Sequence, residues 1–163
     1  MKNQAYNSII SAIILGGVAI FSGCTSEAQS GQVWQVTTLA VEDLCNDPTV
    51  PYQETFDYRV QFDGPSATIF IEDGTFAAGV VEGCDLIYET VVWSEKRDEG
   101  SIRWQLTGSA SIYTGGESCL LDGGKDWLGT EVVQVVYSDI PGIDAGCTYT
   151  MDVEGVYQGV VGE

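Results

Sequence analysis

Five cysteines, 24 carboxylates and no histidine set the chemistry open to this chain of 163 residues. Without histidine there is no side chain whose ordinary pKa suits general acid–base work near neutrality. Neither a Ser-His-Asp nor a Cys-His arrangement can be built. The cysteines stand at 24, 45, 84, 119 and 147, and no pair has the C-x-x-C spacing of a redox site. Gly108-Ser109-Ala110-Ser111 lacks the G-x-S-x-G pattern of a nucleophile elbow. No enzyme activity and no cofactor are expected. A carboxylate-based hydrolase is the remaining catalytic option, and with so many acids no particular pair stands out.

The segment from Leu121 to Glu131 (LDGGKDWLGTE) gathers Asp122, Asp126 and Glu131 around glycines. Hard oxygen ligands on such a loop suit calcium, but the spacing is not that of an EF-hand loop. A solvated turn accounts for the same residues, so these three are weak metal candidates and no metal is expected.

The elements that would position these residues are strands. Alternation of period two runs through residues 33–41, 55–62, 67–72, 75–81, 84–95, 101–112, 127–137 and 147–161. In the second run Phe56, Tyr58, Val60 and Phe62 share one face. In the sixth, Ile102, Trp104, Leu106, Ala110 and Ile112 do so. The longer connections, 42–54, 113–126 and 138–146, carry the prolines and paired glycines that suit loops. The expected fold is all-β: about eight antiparallel strands in an up-and-down barrel or barrel-like sandwich. Closure removes exposed edges, which favours the barrel.

A strictly alternating meander also sorts the cysteines. Cys45 follows strand one and Cys147 opens strand eight, which puts both at one end. Cys84 opens strand five and Cys119 follows strand six, at the other end. A disulfide needs Cα atoms within about 7 Å. The expected bridges are therefore Cys45–Cys147 and Cys84–Cys119, both structural.

The fifth cysteine lies elsewhere. Met1-Lys2 is followed by an apolar run from Ile9 to Phe21, shorter than the roughly 20 residues of a membrane span. Small residues then lead to Cys24 in Phe21-Ser22-Gly23-Cys24, the layout of a secretory signal. This stretch resembles the lipobox of bacterial lipoproteins, with Phe21 where Leu is usual. The resemblance implies cleavage before Cys24, lipidation of its sulfur and acylation of its amino group by chains such as palmitate. It implies attachment to the membrane through that lipid, and Thr25 rather than Asp after the cysteine favours the outer membrane where the organism has two. The competing reading, an ordinary signal peptide, would leave an odd thiol in an oxidising compartment. The expected organisation is a signal at 1–23, lipidated Cys24 with a tether over 24–31, and a single β domain over 32–163.

Cleavage would remove one cation, Lys2, and leave five basic against 24 acidic side chains. Binding to nucleic acid needs phosphate neutralisation by Lys and Arg, so it is excluded. The acidity itself is read as a solvated surface.

The aromatic residues leave three roles to weigh. Trp104 and Tyr58 fall on apolar faces and are read as core. Trp93 falls on a face with Asp85, Ile87, Glu89 and Val91, which makes it a candidate for a pocket rim and a weak ligand-binding candidate. The strand order, Trp34 on the first strand and a closing disulfide near the last resemble the lipocalin-like β-barrels, which implies the architecture. Gly31-Gln32-Val33-Trp34 stands where that family has G-x-W, and no Lys or Arg follows Lys125. The expected function is that of a lipid-anchored envelope protein whose ring is filled and whose outside binds another envelope component. The alternative is a small apolar, lipid-like ligand inside the ring, with Ala77, Ala78, Gly79, Gly108 and Ala110 giving room. Such a ligand calls for a cavity above about 300 Å³. A carbohydrate- or calcium-binding module is the further alternative.

Overall fold

The computed structural model describes residues 31–72, 74–113, 119 and 125–161; Cys24, the signal and Asp122 lie outside these. Among the described residues, nine strands form one antiparallel sheet. They are β1 (Gly31–Asp43), β2 (Gln53–Asp63), β3 (Ser66–Ile71), β4 (Phe76–Glu82), β5 (Asp85–Thr90), β6 (Trp93–Arg97), β7 (Gly100–Ile112), β8 (Trp127–Ser138) and β9 (Thr148–Val161). The spatial order is β5-β4-β3-β2-β1-β9-β8-β7-β6, and β5 also pairs with β7, so the sheet closes into a ring. Gly31, expected in the tether, is already part of β1 and lies opposite Val161.

The expected fifth strand over 84–95 is two strands, β5 and β6, laid end to end along β7. Glu89 lies opposite Thr107 in one pairing and Trp93 opposite Trp104 in the other. Three residues of β5–β6 thus face two of β7, one residue too many, as in a β-bulge. The surplus is absorbed at Val91 and Val92, both exposed. Local side chains repair the ladder at this point. The Thr90 hydroxyl accepts from the Leu106 N–H at 3.0 Å, and the Gln105 amide donates to the Thr90 carbonyl at 3.1 Å.

The extra residue flips the phase. Leu86, Tyr88 and Thr90 are buried on the inner side. Unbroken alternation would turn Trp93 outward with Ile87, Glu89 and Val91, as the sequence suggests. The structure instead stacks Trp93 on Trp104, ring centroids 6.5 Å apart and planes at 23°, with Phe76 at its edge.

With the end where β1 finishes taken as the upper one, the two halves of the ring differ. The lower half is filled. Trp127 is fully buried and meets Trp34, Tyr58 and Tyr88 edge-on at 5.7, 5.7 and 5.9 Å. Such ring pairs contribute about 0.5–1.5 kcal/mol each beyond area burial. Val36, Val60, Ile69, Leu86 and Ile112 pack around them. At the upper end a smaller cluster joins Cys45, Ile102, Val135 and Ile143.

Both expected disulfides are present. Cys45–Cys147 has Cα atoms 5.1 Å apart and staples the upper ends of β1 and β9; Cys84–Cys119 has them 5.4 Å apart below.

Candidate functional site: an interior pocket above a buried glutamate

The upper half of the ring holds a pocket of about 190 Å³. Its floor is Tyr58, Leu106 and Glu131, its walls include Phe56, Trp104 and Tyr149, and its mouth carries Asp47, Glu54, Glu95 and Arg97. The rim is uneven. β3 and β4 have six and seven residues, whereas β1 and β7 have 13 and β9 has 14.

Glu131 is fully buried. On β8 it takes its place in an inward series with Trp127, Val133 and Val135, all buried, so the strand's period delivers a carboxylate to the interior. Its Oε1 accepts from the Tyr58 hydroxyl at 2.9 Å and from the Tyr88 hydroxyl at 2.5 Å. Hydrogen bonds of a phenol to a carboxylate are of the short, charge-assisted kind. Tyr88 reaches Glu131 from two strands away because Gly108 lies between them, paired with Tyr88 on one side and with Glu131 on the other. A Cβ on Gly108 would stand 2.1 Å from the Tyr88 ring, so only glycine lets that ring lie flat across β7. Burial, and next the Glu131 charge, push the Tyr88 phenol well above its ordinary pKa. It therefore remains a donor through the neutral range.

The mouth is strapped. Residues 44–52 cross from β1 to β2, and Asp47 on this strap meets Arg97 of β6 at 2.8 Å. The Thr49 N–H and hydroxyl also donate to Asp47, at 3.0 and 2.8 Å. Burial alone would raise the Asp47 pKa, but the Arg97 and Thr49 hydrogen bonds outweigh it and hold the carboxyl below its ordinary value. Arg97 also grips Glu95 at 2.7 Å. Burial, with the charge of Asp47 next, raises the pKa of Tyr149 on the facing wall.

The sequence candidates separate in space. Glu131 points into the ring, while Asp126, the residue before β8, accepts from the Tyr157 backbone N–H at 2.8 Å. Among the described residues no group of three or more Asp, Glu, Cys or His is placed to hold a metal. Trp93 does not line the pocket itself; it backs Trp104, which does. Of the small residues expected to give room, Ala78 is exposed and turned outward. Ala77, Gly108 and Ala110 are buried, but the space beside Gly79 and Gly108 is taken by Leu86 and Tyr88, and none of these residues borders the pocket. The room comes instead from the short β3–β4 side and the broken β5–β6 stave.

Glu131 was thus within reach of the sequence as the one acid in phase with Trp127, Val133 and Val135. The Asp47–Arg97 contact spans 50 residues of chain and carried no local signal.

At the lower end a second hollow of about 740 Å³ borders Gly31, Val60, Phe62 and Ser66. It is larger but more open to solvent. Comparisons with protein-family models, with curated proteins and with solved structures find no match for this chain.

Proposed function

We propose that this protein is a lipid-anchored binding module of the bacterial cell envelope, without enzymatic activity, that holds a small molecule in the upper half of its ring. The observation that carries this reading is the pocket of about 190 Å³ ending on the buried Glu131. Two tyrosine hydroxyls hold this carboxyl at the floor, and aromatic and acidic side chains line the open volume above it. The volume falls short of the roughly 300 Å³ of an ordinary ligand pocket, which argues against a lipid as cargo. An apolar cavity of about 150 Å³ accepts benzene, which sets the scale of a fitting molecule.

The anchor is Cys24. Its supports are the signal-like segment before it and the two disulfides after it, which agree with an oxidising compartment outside the cytoplasm. Mass spectrometry of the N-terminal peptide from the membrane fraction should find Cys24 as the first residue, carrying acyl chains. An unmodified peptide beginning upstream of Cys24 would refute the anchor. Native mass spectrometry in mild detergent, before and after solvent extraction, tests the cargo: a stoichiometric mass lost on extraction is expected.

A second reading, docking of another envelope protein on the outside, has its own support. Val80 and Ile87 are exposed directly opposite each other on β4 and β5, with Phe76 exposed at the upper end of β4 and Val91 and Val92 exposed in the break after β5. Crosslinking in intact cells that traps one partner through this face, with no extractable mass, would favour it.

A further inference from the structure

We infer that the pocket takes a compact organic cation, a primary or quaternary ammonium compound of about five to ten non-hydrogen atoms, with its charge at Glu131 and its carbon skeleton against Trp104 and Phe56. This rests on the small-molecule reading above and adds the chemical class.

Three independent features of the pocket agree. The first is its charge. Four acids, Asp47, Glu54, Glu95 and Glu131, border it against one base, Arg97. Arg97 is already engaged by Asp47 at 2.8 Å and Glu95 at 2.7 Å. Acids thus outnumber the base at the enclosure, and an anion entering it would meet like charge at the mouth in a partly desolvated space. The second is the wall. Phe56, Tyr58, Trp104 and Tyr149 present aromatic rings to the same volume. Ring faces attract ammonium groups, and the attraction grows as water is excluded. The third is the geometry at the floor. Both tyrosine hydroxyls donate to the same carboxylate oxygen, Oε1. They hold the Glu131 carboxyl at the bottom of the pocket, where the positive end of a ligand can lie against it. Metal ions are the other cationic class, but no three metal-binding side chains cluster among the described residues. The mixed aromatic and acidic lining suits an organic cation better.

Calorimetric titration of the full chain, oxidised and held in non-ionic detergent, tests the class with four probes: n-butylammonium, tetramethylammonium, n-butanol and butyrate. n-Butylammonium and n-butanol have nearly the same shape and differ by a charge. The expected result is one-to-one binding of an ammonium probe, at least tenfold tighter than n-butanol, with butyrate silent. E131Q, which keeps an acceptor for both tyrosines, should weaken ammonium binding at least tenfold. If E131Q fails to fold, the wild-type contrast between n-butylammonium and n-butanol decides alone. Equal or tighter binding of n-butanol or butyrate would overturn the cation class and leave the small-molecule reading standing. Silence of all four probes to about 10 mM, beside an extractable neutral mass, would do the same. Silence of all four with no extractable mass would overturn both.

Discussion

At the scale of single residues, Gly108 has the largest effect for the smallest side chain. It lets the Tyr88 ring cross β7 and meet Glu131. Gly108→Ala should cost about 1–3 kcal/mol by overpacking, read as a lower urea midpoint. It should also lower the alkaline pKa of Tyr88, because the displaced ring regains solvent. The wild-type phenol gives a second test. Its folded pKa is raised, so the native state holds a proton that the unfolded chain releases near pH 10.0. Stability is unaffected below that value and falls as pH rises above it. Urea melts across the alkaline range, with phenolate absorbance as the monitor, should show this fall in the wild type and a smaller one in Tyr88→Phe. The inward Tyr58 was legible from the alternation around it, because a half-buried strand repeats every two residues. The role of Glu131 was not. Its neighbours on β8 announce an inward position, but the tyrosines that receive it come from β2 and β5 and are named only by the closed ring.

At the scale of elements, the broken stave and the strap shape the pocket. Thr90→Val keeps the shape of the side chain and removes the hydroxyl that accepts from Leu106. It should cost about 1–3 kcal/mol, the penalty of a buried N–H left without an acceptor, and unfolding titration checks it. The break itself could not be read from sequence. Val91-Val92 has the composition of an ordinary strand, and the surplus residue shows only against the register of β7. The strap behaves differently with acid. Asp47 has a lowered folded pKa, so its contribution is complete above its ordinary value of 3.8 and is lost as pH falls below that. Asp47→Asn should therefore destabilise the protein at neutral pH, by about 1.5–3 kcal/mol for a hydrogen bond to a charged partner. The difference from wild type should shrink in melts at about pH 3. A constant difference across that range would show that Asp47 contributes by packing alone.

At the scale of the whole molecule, the disulfide pairing was the most legible feature. Antiparallel neighbours reverse direction at each step, so the parity of the strands assigns every cysteine to an end. Breaking 84–95 into two strands left the parity intact, since β5 and β6 run the same way along β7. The two bridges differ in span, their cysteines standing 102 and 35 positions apart in sequence. On the chain-entropy account they restrict the unfolded state by about 4.7 and about 3.8 kcal/mol. Replacing Cys45 and Cys147 together by alanine should cost about 1 kcal/mol more than replacing Cys84 and Cys119, by thermal or urea unfolding. The same change should loosen the strap, which leaves β1 at Cys45. Greater destabilisation from the lower pair would show that the shorter loop, not the ring closure, dominates.

The pairing of β1 with β9 reaches beyond stability to the order of events in folding. Of the nine described strands, the first to be made is hydrogen-bonded along its length to the last. No partial chain can close the ring, and one lacking β9 presents two bare edges, β1 and β8. Such long-range pairing makes folding slow and late. For a chain threaded across a membrane on the proposed export route, lateness is an asset. On that route, ring closure and the oxidation of Cys45 with Cys147 would form a single finishing step once β9 has passed.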